Sequence, residues 1–397
     1  MKLFSSFLCL SIGLLLSSCG GFFGTKTPTE FLDVPQYDDR SVAYVPIRPA
    51  IEDLDRPVDV IAGWDELIYV ADEGSEEIIS YDQAGNELAR FQVPGLTSIA
   101  QDRRLDILAT GTIDTVINGN ALTLAAIYRI DLNKSGTYGL ANARIMKSII
   151  HPFYFKSSTP TSIDAQVRFR GIAPLGNNRY YVSRNGPANS PNQFGGPDDA
   201  ILVFDENDTY VTPIAVSTNL GLFRDYFKQP FGLTTLAMPP QSPAVDRRGD
   251  FIFTSLSSTA VLKVQYVAFL ESDFGSSYEV RNFSVGDTSR ADGFLYEPNR
   301  FTLPVDVTIS GDGTNYIFVV DADKDSLYQF NALGYEGVNP PAGSRSSKTV
   351  LASFGGTGTG LTQFNEPRGV AYLNRIVYVA DAGNHRLLRF RLTTDFE

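Results

Sequence analysis

The chain has 397 residues, of which 45 are acidic and 33 basic, for a net charge of −12. That length allows one large domain or two ordinary ones. The acidic balance disfavours nucleic acid and anionic lipid surfaces as partners. In chain order the first segment is residues 1–18, with Lys2 as its one charge and an apolar run from Leu3 to Leu16. The run is shorter than the roughly 20 apolar residues that a permanent membrane helix needs. A charged start, an apolar middle and a small-residue end are the order of a secretory signal.

The segment ends Leu16-Ser17-Ser18-Cys19. This resembles the lipobox of bacterial lipoproteins. The resemblance implies cleavage before Cys19 and attachment of palmitate-type acyl chains to it. More than one acyl chain holds a protein stably on a membrane. Gly20 stands where aspartate would mark inner-membrane retention, so the resemblance favours an outer-membrane lipoprotein. The acidic surface-export signal of some related lipoproteins is absent from Gly20-Gly21-Phe22-Phe23-Gly24. Whether the body faces the periplasm or the outside stays open. Residues 19–41, rich in Gly, Thr, Pro and Asp, read as the tether. Cys9 lies in the removed segment and Cys19 takes lipid, so the mature body has no thiol for disulfides, metal sites or nucleophiles. Loss of Lys2 takes the net charge from −12 to −13.

Internal repeats organise the rest. The clearest unit is C-terminal: Phe364-Asn365-Glu366-Pro367-Arg368-Gly369-Val370-Ala371, then Ile376-Val377-Tyr378-Val379-Ala380-Asp381, Ala382-Gly383-Asn384-His385-Arg386, and Leu387-Leu388-Arg389-Phe390. Short β-rich runs between turn residues read as a strand meander. The unit resembles the NHL repeat, one blade of a β-propeller. Two further copies start at Pro57-Val58-Asp59-Val60 and Pro304-Val305-Asp306-Val307 and reach Ile68-Tyr69-Val70-Ala71-Asp72 and Ile317-Phe318-Val319-Val320-Asp321. Three looser copies begin at Ser98-Ile99-Ala100, Arg170-Gly171-Ile172 and Pro243-Ala244-Val245. The resemblance implies an all-β, six-bladed, NHL-like propeller over residues 42–397, within the known range of blade number.

The first five copies run on into a fourth strand, such as Leu88-Ala89-Arg90-Phe91 or Thr349-Val350-Leu351-Ala352-Ser353-Phe354. The sixth stops near Leu392. A three-stranded last blade would leave an open edge. The expectation is that Val42-Ala43-Tyr44-Val45-Pro46-Ile47 supplies its outer strand.

Loops beyond the short turns of a minimal blade mark candidate binding regions. Five long insertions, 111–121, 149–166, 185–199, 215–242 and 284–299, map to one face, with shorter excess at 131–142, 266–277 and 331–348 opposite. Two insertions are aromatic: Phe153, Tyr154 and Phe155 in one, and Phe223, Tyr226 and Phe227 in a stretch from Leu220 that reads as a short amphipathic helix. These six residues are candidate partner contacts; the alternative is that they fold back over the propeller's own channel. The polar loop from Asn185 to Asp199 is a weaker cation candidate.

Chemistry is sparse. His385 fills its place in the Gly-Asn-His-Arg turn, and His151 alone cannot build the zinc site of the lyase relatives or a Ser-His-Asp triad. Lactonase-type relatives hold calcium in the channel with oxygen ligands, and calcium needs several. Asp59 and Asp306 share a position in the inner strand and are the candidate channel or cation ligands, although Gly369 takes that place in blade six. Asp72, Asp321 and Asp381 recur at the end of the second strand, so they read as structural. Arg248-Gly249-Asp250 reads as a turn, and Gly355–Gly360 precedes a strand, not the helix a phosphate cradle needs. No catalytic residue is assigned. The expectation is a non-catalytic binding or scaffold module for an envelope protein or a glycan; the alternative is a calcium-dependent lactonase-type hydrolase or lyase.

Overall fold

The computed structural model describes residues 42–395, apart from 118, 134–135, 151–163, 188–198, 240–248, 274, 284, 341–343 and 345. Its second strands, Ile68–Asp72, Tyr180–Asn185, Phe251–Ser255, Ile317–Asp321 and Ile376–Asp381, are runs of β-branched and aromatic residues buried almost throughout. A strand buried on both faces reads as a continuous apolar run because each face packs against another layer. Outer strands such as Glu87–Gln92 and Arg144–Ile150 are largely exposed and polar or mixed.

Six antiparallel meanders result. Blade one comprises Pro57–Ala62, Ile68–Asp72, Glu77–Tyr81 and Glu87–Gln92, and blade two Ser98–Gln101, Ile107–Ile117, Asn120–Asp131 and Arg144–Ile150. Blade three comprises Arg168–Pro174, Tyr180–Asn185, Ala200–Phe204 and Tyr210–Pro213. Blade four has Pro230–Thr235, Phe251–Ser255, Val264–Ser272 and Gly275–Val280, and adds a hairpin, Val216–Thr218 with Gly221–Phe223, at its outer edge. Blade five has Pro304–Ile309, Ile317–Asp321, Ser326–Phe330 and Phe354–Gly355. Blade six has Pro367–Leu373, Ile376–Asp381 and Arg386–Leu392, completed by Tyr44–Ile51. That last strand pairs antiparallel with Arg386–Leu392, Tyr44 opposite Leu392 and Ile47 opposite Arg389. The ring therefore closes with the N-terminal strand, as expected, in a strand that extends to Ile51.

The core is divided among the seams between blades. Tyr69, Ala71 and Ile78 meet Ile99, Ala109 and Tyr128 between blades one and two. The closing seam gathers Val60, Val70 and Ile79 with Ala371, Tyr378, Ala380 and Leu387. Asp72, Asp321 and Asp381, all fully buried, clasp each blade's lead-in: Asp72 accepts from the Asp55 and Arg56 amides at 2.7 and 2.6 Å, Asp321 from Thr302 and Leu303, and Asp381 from Asn365. Arg386 donates to Asp381 at 2.8 Å and to the Thr359, Gly360 and Gln363 carbonyls. His385 adopts a left-handed backbone, φ 56°, and its Nδ1 contacts the Asp55 carbonyl across the closing seam. Its position is structural, as the turn motif implied.

Several expectations need correction. The inner strand of blade four is Pro230–Thr235, not the segment from Pro243, which lies mostly outside the described residues. The extra length of that blade is consequently split between the stretch before Pro230 and the turn after Thr235, so it does not fall on one face. Residues 216–223 form a hairpin and not a helix, because Val216 and Ser217 pair with Tyr278 and Glu279. The insertion at 111–121 is an extension of the blade-two hairpin that stays paired to Ile117 and Asn120. Residues 291–301 do not stand over a face: Leu295, Tyr296 and Phe301 are buried against Tyr266, Val307 and Phe330. Only Phe354–Gly355 of the expected fourth strand of blade five pairs with the third. The upper part is occupied by residues 336–338 turning back, with Gly337 donating to the Gln329 carbonyl and Val338 bridging Val350. Gly249 and Asp250 are structural, as read: Asp250 accepts from the Tyr266 hydroxyl and the Phe269 amide. No helix among the described residues is long and apolar enough to cross a membrane.

A chain beginning at residue 52 lacks the closing strand and loses the burial of Val42 and Ile51, about 1.5–3 kcal/mol each. We expect a lower unfolding temperature and self-association through the exposed Arg386–Leu392 edge, read by thermal melting and size-exclusion chromatography; an unchanged monomer with unchanged melting would contradict the closure.

Candidate functional site

The inner strands of all six blades line one central channel with about 810 Å3 of space not filled by atoms, including its open mouths. Strand register places one residue of each blade at the same level: Asp59, Ser98, Gly171, Gly232, Asp306 and Gly369. The glycines are required by close approach. A Cβ on Gly369 would lie 2.8 Å from the Asp59 Cα, and one on Gly232 2.7 Å from the Asp306 Cα. Consecutive inner strands touch backbone to backbone there.

At the two carboxylate positions the side chain crosses the seam instead. Asp59 Oδ2 accepts from the Ser98 hydroxyl at 2.7 Å and the Ile99 amide at 2.9 Å. Asp306 Oδ2 accepts from the Val370 amide at 2.8 Å. Both are thus stitched to the next blade. Burial pushes the Asp59 carboxyl up to about 6, against the opposing effect of its hydrogen bonds. Burial raises Asp306 well above the usual carboxylate range, and the Asp59 charge raises it further. The sequence-predicted pair thus flanks the inner strand of blade six, Asp59 lying against Gly369 and Asp306 bonded to Val370.

The pair does not fit a calcium centre. Calcium takes six to eight oxygens, whereas this level of the channel offers two carboxylates and one hydroxyl, and glycine fills the other three of the six positions. Among the described residues no group of three or more Asp, Glu, His or Cys could hold a metal ion.

One residue earlier in each inner strand, at the end facing the connections between blades, sit Val58, Thr97, Arg170, Phe231, Val305 and Arg368. The Arg170 guanidinium lies over the Phe231 ring, 5.4 Å from its centroid. Arg368 pairs with Glu366, which Arg56 also reaches at 3.3 Å. At the opposite end Trp64 stacks under Arg103 at 4.5 Å. Sequence reasoning missed Arg170, Phe231 and Arg368 as site residues. A signal was present: Pro230-Phe231-Gly232-Leu233 has the spacing of Pro367-Arg368-Gly369-Val370.

The aromatic candidates scatter. Phe227 is buried in the seam between blades three and four, against Phe251 and Phe253, so it is not a partner contact; an aromatic next to the blade wall gains more from the core than from a loop surface. Tyr226 is partly buried and its hydroxyl donates to Gln265. Phe223 is 40% exposed, beside Leu220 at 89% and Leu222 at 67%. Phe153, Tyr154 and Phe155 lie outside the described residues, as does most of the loop from Asn185 to Asp199.

Residues 364–390 match the NHL repeat family. No curated protein sequence matches the chain. Among solved structures, the chain is similar to the PQQ-bound form of aldose sugar dehydrogenase from Streptomyces coelicolor, at 11% identity and a TM-score of 0.51, over 88% of this chain and 98% of that one. It also aligns with a streptogramin B lyase (12% identity, TM-score 0.46, 90% and 100% covered) and with an auxiliary nutrient binding protein from Bacteroides thetaiotaomicron (10%, 0.49, 90% and 74%). At these identities the first of these likenesses speaks to the propeller fold alone.

Between the ordinary aspartate value and about 6 the folded protein keeps the Asp59 proton that the unfolded chain releases, so stability falls as pH rises through that window. Asp59→Asn mimics the protonated form. We expect it to leave the melting temperature near pH 4 almost unchanged and to stabilise the protein above pH 7 by about 1–3 kcal/mol. Thermal melts across pH check this; equal effects at both ends would contradict it.

Proposed function

We propose that this protein is a lipid-anchored propeller of the bacterial cell envelope, held on the outer membrane through Cys19, that binds another envelope protein and does not transform it. The anchor rests on Leu16-Ser17-Ser18-Cys19. The observation that carries the binding role is the extra hairpin of blade four. Val216–Thr218 joins the sheet edge, and Gly221–Phe223 becomes the outermost strand, exposed along its length. Leu220, Leu222 and Phe223 make an apolar tip there. An unpaired apolar edge offers both main-chain hydrogen bonds and side-chain contacts to a partner strand, and contiguous apolar surface of this kind marks interfaces.

A second reading is supported by Asp59. A carboxyl pushed up to about 6 by burial suits general acid–base chemistry, and its place in the channel would serve a lactonase-like hydrolase or lyase without a bound calcium. Its test is hydrolysis of small lactones, abolished by Asp59→Asn.

The binding reading predicts two separable losses. Cys19→Ser should move the protein from the membrane to the soluble fraction. Leu222→Asp with Phe223→Asp should leave it on the membrane with unchanged melting but abolish cross-linking to its partner. A wild-type protein that cross-links to nothing in its native membrane, or a double variant that cross-links as well as wild type, would overturn the reading.

A further inference from the structure

The turns that join the first and second strands of blades five and six meet where the Tyr372 hydroxyl donates to Asp312. Beside them lie Tyr44, at the start of the closing strand, and Leu392, its partner at the end of the neighbouring strand. A cavity opens between these four elements. The space in it that a water molecule can enter is about 560 Å3, against about 70 Å3 in the central channel. Small-ligand sites run from about 300 to 1,000 Å3. Gln329 forms part of the wall. It is 1% exposed, and its Oε1 has no hydrogen-bond partner among the described residues. Unpaired buried polar atoms occur elsewhere in the chain, but of these Gln329 Oε1 alone borders this cavity. A buried amide oxygen without a donor costs free energy, and a ligand hydroxyl in the cavity would supply the donor.

The remaining walls define the ligand. Asp312 is fixed by the Thr314 amide and hydroxyl, at 3.0 and 2.6 Å, and by the Tyr372 hydroxyl at 2.6 Å. Burial opposes its charge, yet these hydrogen bonds hold its carboxyl below its ordinary value. Asp395 adds a second carboxylate and Arg375 a single cation. That balance disfavours an anion. A metal ion is no better served, since no group of three or more Asp, Glu, His or Cys among the described residues could hold one. A purely apolar ligand would desolvate Asp395 and leave Gln329 unpaired. A neutral ligand with many hydroxyls suits every group. Hydroxyls donate to carboxylate and amide oxygens and accept from Arg375 and the Asn339 amide. Tyr44, Tyr316 and Tyr372 add aromatic surface for the apolar faces of a sugar ring.

We propose that this cavity binds a neutral saccharide of one or two rings, with its hydroxyls donating to Gln329, Asp312 and Asp395. Because Tyr44 and Leu392 line the cavity, bound saccharide ties the closing strand to the turns of blades five and six and stabilises the ring. The site lies at a different seam from the blade-four hairpin and stands whether or not that hairpin docks a protein.

The test is calorimetric titration of the full-length protein, extracted in a detergent without a sugar headgroup, with glucose, maltose, cellobiose, lactose and glucuronate. At least one neutral sugar should bind with a Kd tighter than about 1 mM and raise the melting temperature. Glucuronate should bind more weakly than that sugar. Gln329→Leu should weaken the sugar at least about fivefold, as expected for a lost hydrogen bond, and shrink the melting-temperature rise that the sugar produces. Asp395→Asn, at the rim, should weaken it too and serves if the leucine variant does not fold. Leu222→Asp with Phe223→Asp should bind the sugar as wild type does. Binding of none of the four neutral sugars, glucuronate binding more tightly than all of them, or undiminished sugar binding by both Gln329→Leu and Asp395→Asn would each overturn the proposal.

Discussion

Every blade of this protein depends on having a neighbour on both sides. The second strands are buried on both faces, so a blade removed from the ring would expose two core surfaces. The hydrophobic clusters accordingly lie in the seams, one between each pair of consecutive blades. The seam between blades six and one is the one that local sequence cannot supply, because the chain must return to its own beginning. Tyr44–Ile51 makes that return, and Arg389 ties three segments there by donating to carbonyls of Gln83, Ala84 and Pro49. Burial of this kind is the dominant favourable contribution to folding, so the closing strand governs the stability of the whole ring.

Around that closure the inner strands are set by contacts that permit very little variation. Asp72, Asp321 and Asp381 fix where each of three blades begins, by accepting amides of the residues before Pro57, Pro304 and Pro367. One or two residues on, the strands approach so closely that glycine or a seam-crossing aspartate is needed. Asp59 and Asp306 are therefore first of all structural groups that join blade one to two and five to six. Their raised affinity for protons follows from the same enclosure. The channel they floor is a consequence of how the blades touch.

How much of this was legible in the sequence depended on how strongly a blade carried the recurring residues. Where Pro, Asp and the apolar run occur together, as around 57–72, 304–321 and 364–390, strands, register and roles follow from the residues. In the other blades the clasp position holds Arg184 or Ser255 in place of aspartate, and the signal weakens. Ser255 still donates to the Lys228 carbonyl, a substitute with no sequence signature. The inner strand of blade four was misplaced for that reason, and with it Phe231. The stretch from Leu220 has helical spacing, but Gly221–Phe223 pairs with Val216–Thr218, which is itself placed by pairing with Tyr278 and Glu279, residues more than fifty positions away. Tertiary pairing overrode local propensity.

The fold, then, is a closed ring whose seams hold the core, and its candidate protein-binding feature is a departure from that economy: the outer hairpin of blade four. The closure can be tested directly. In a soluble form beginning at residue 42, which contains no cysteine, Val45→Cys and Arg391→Cys would stand opposite each other in the register of the last two strands. Facing residues of antiparallel strands have Cα atoms about 4.5–5.5 Å apart, within reach of a disulfide. Mild oxidation of the folded double variant should consume both thiols and raise the melting temperature, reversibly on reduction. Two thiols that stay free in the folded protein would contradict the closed ring.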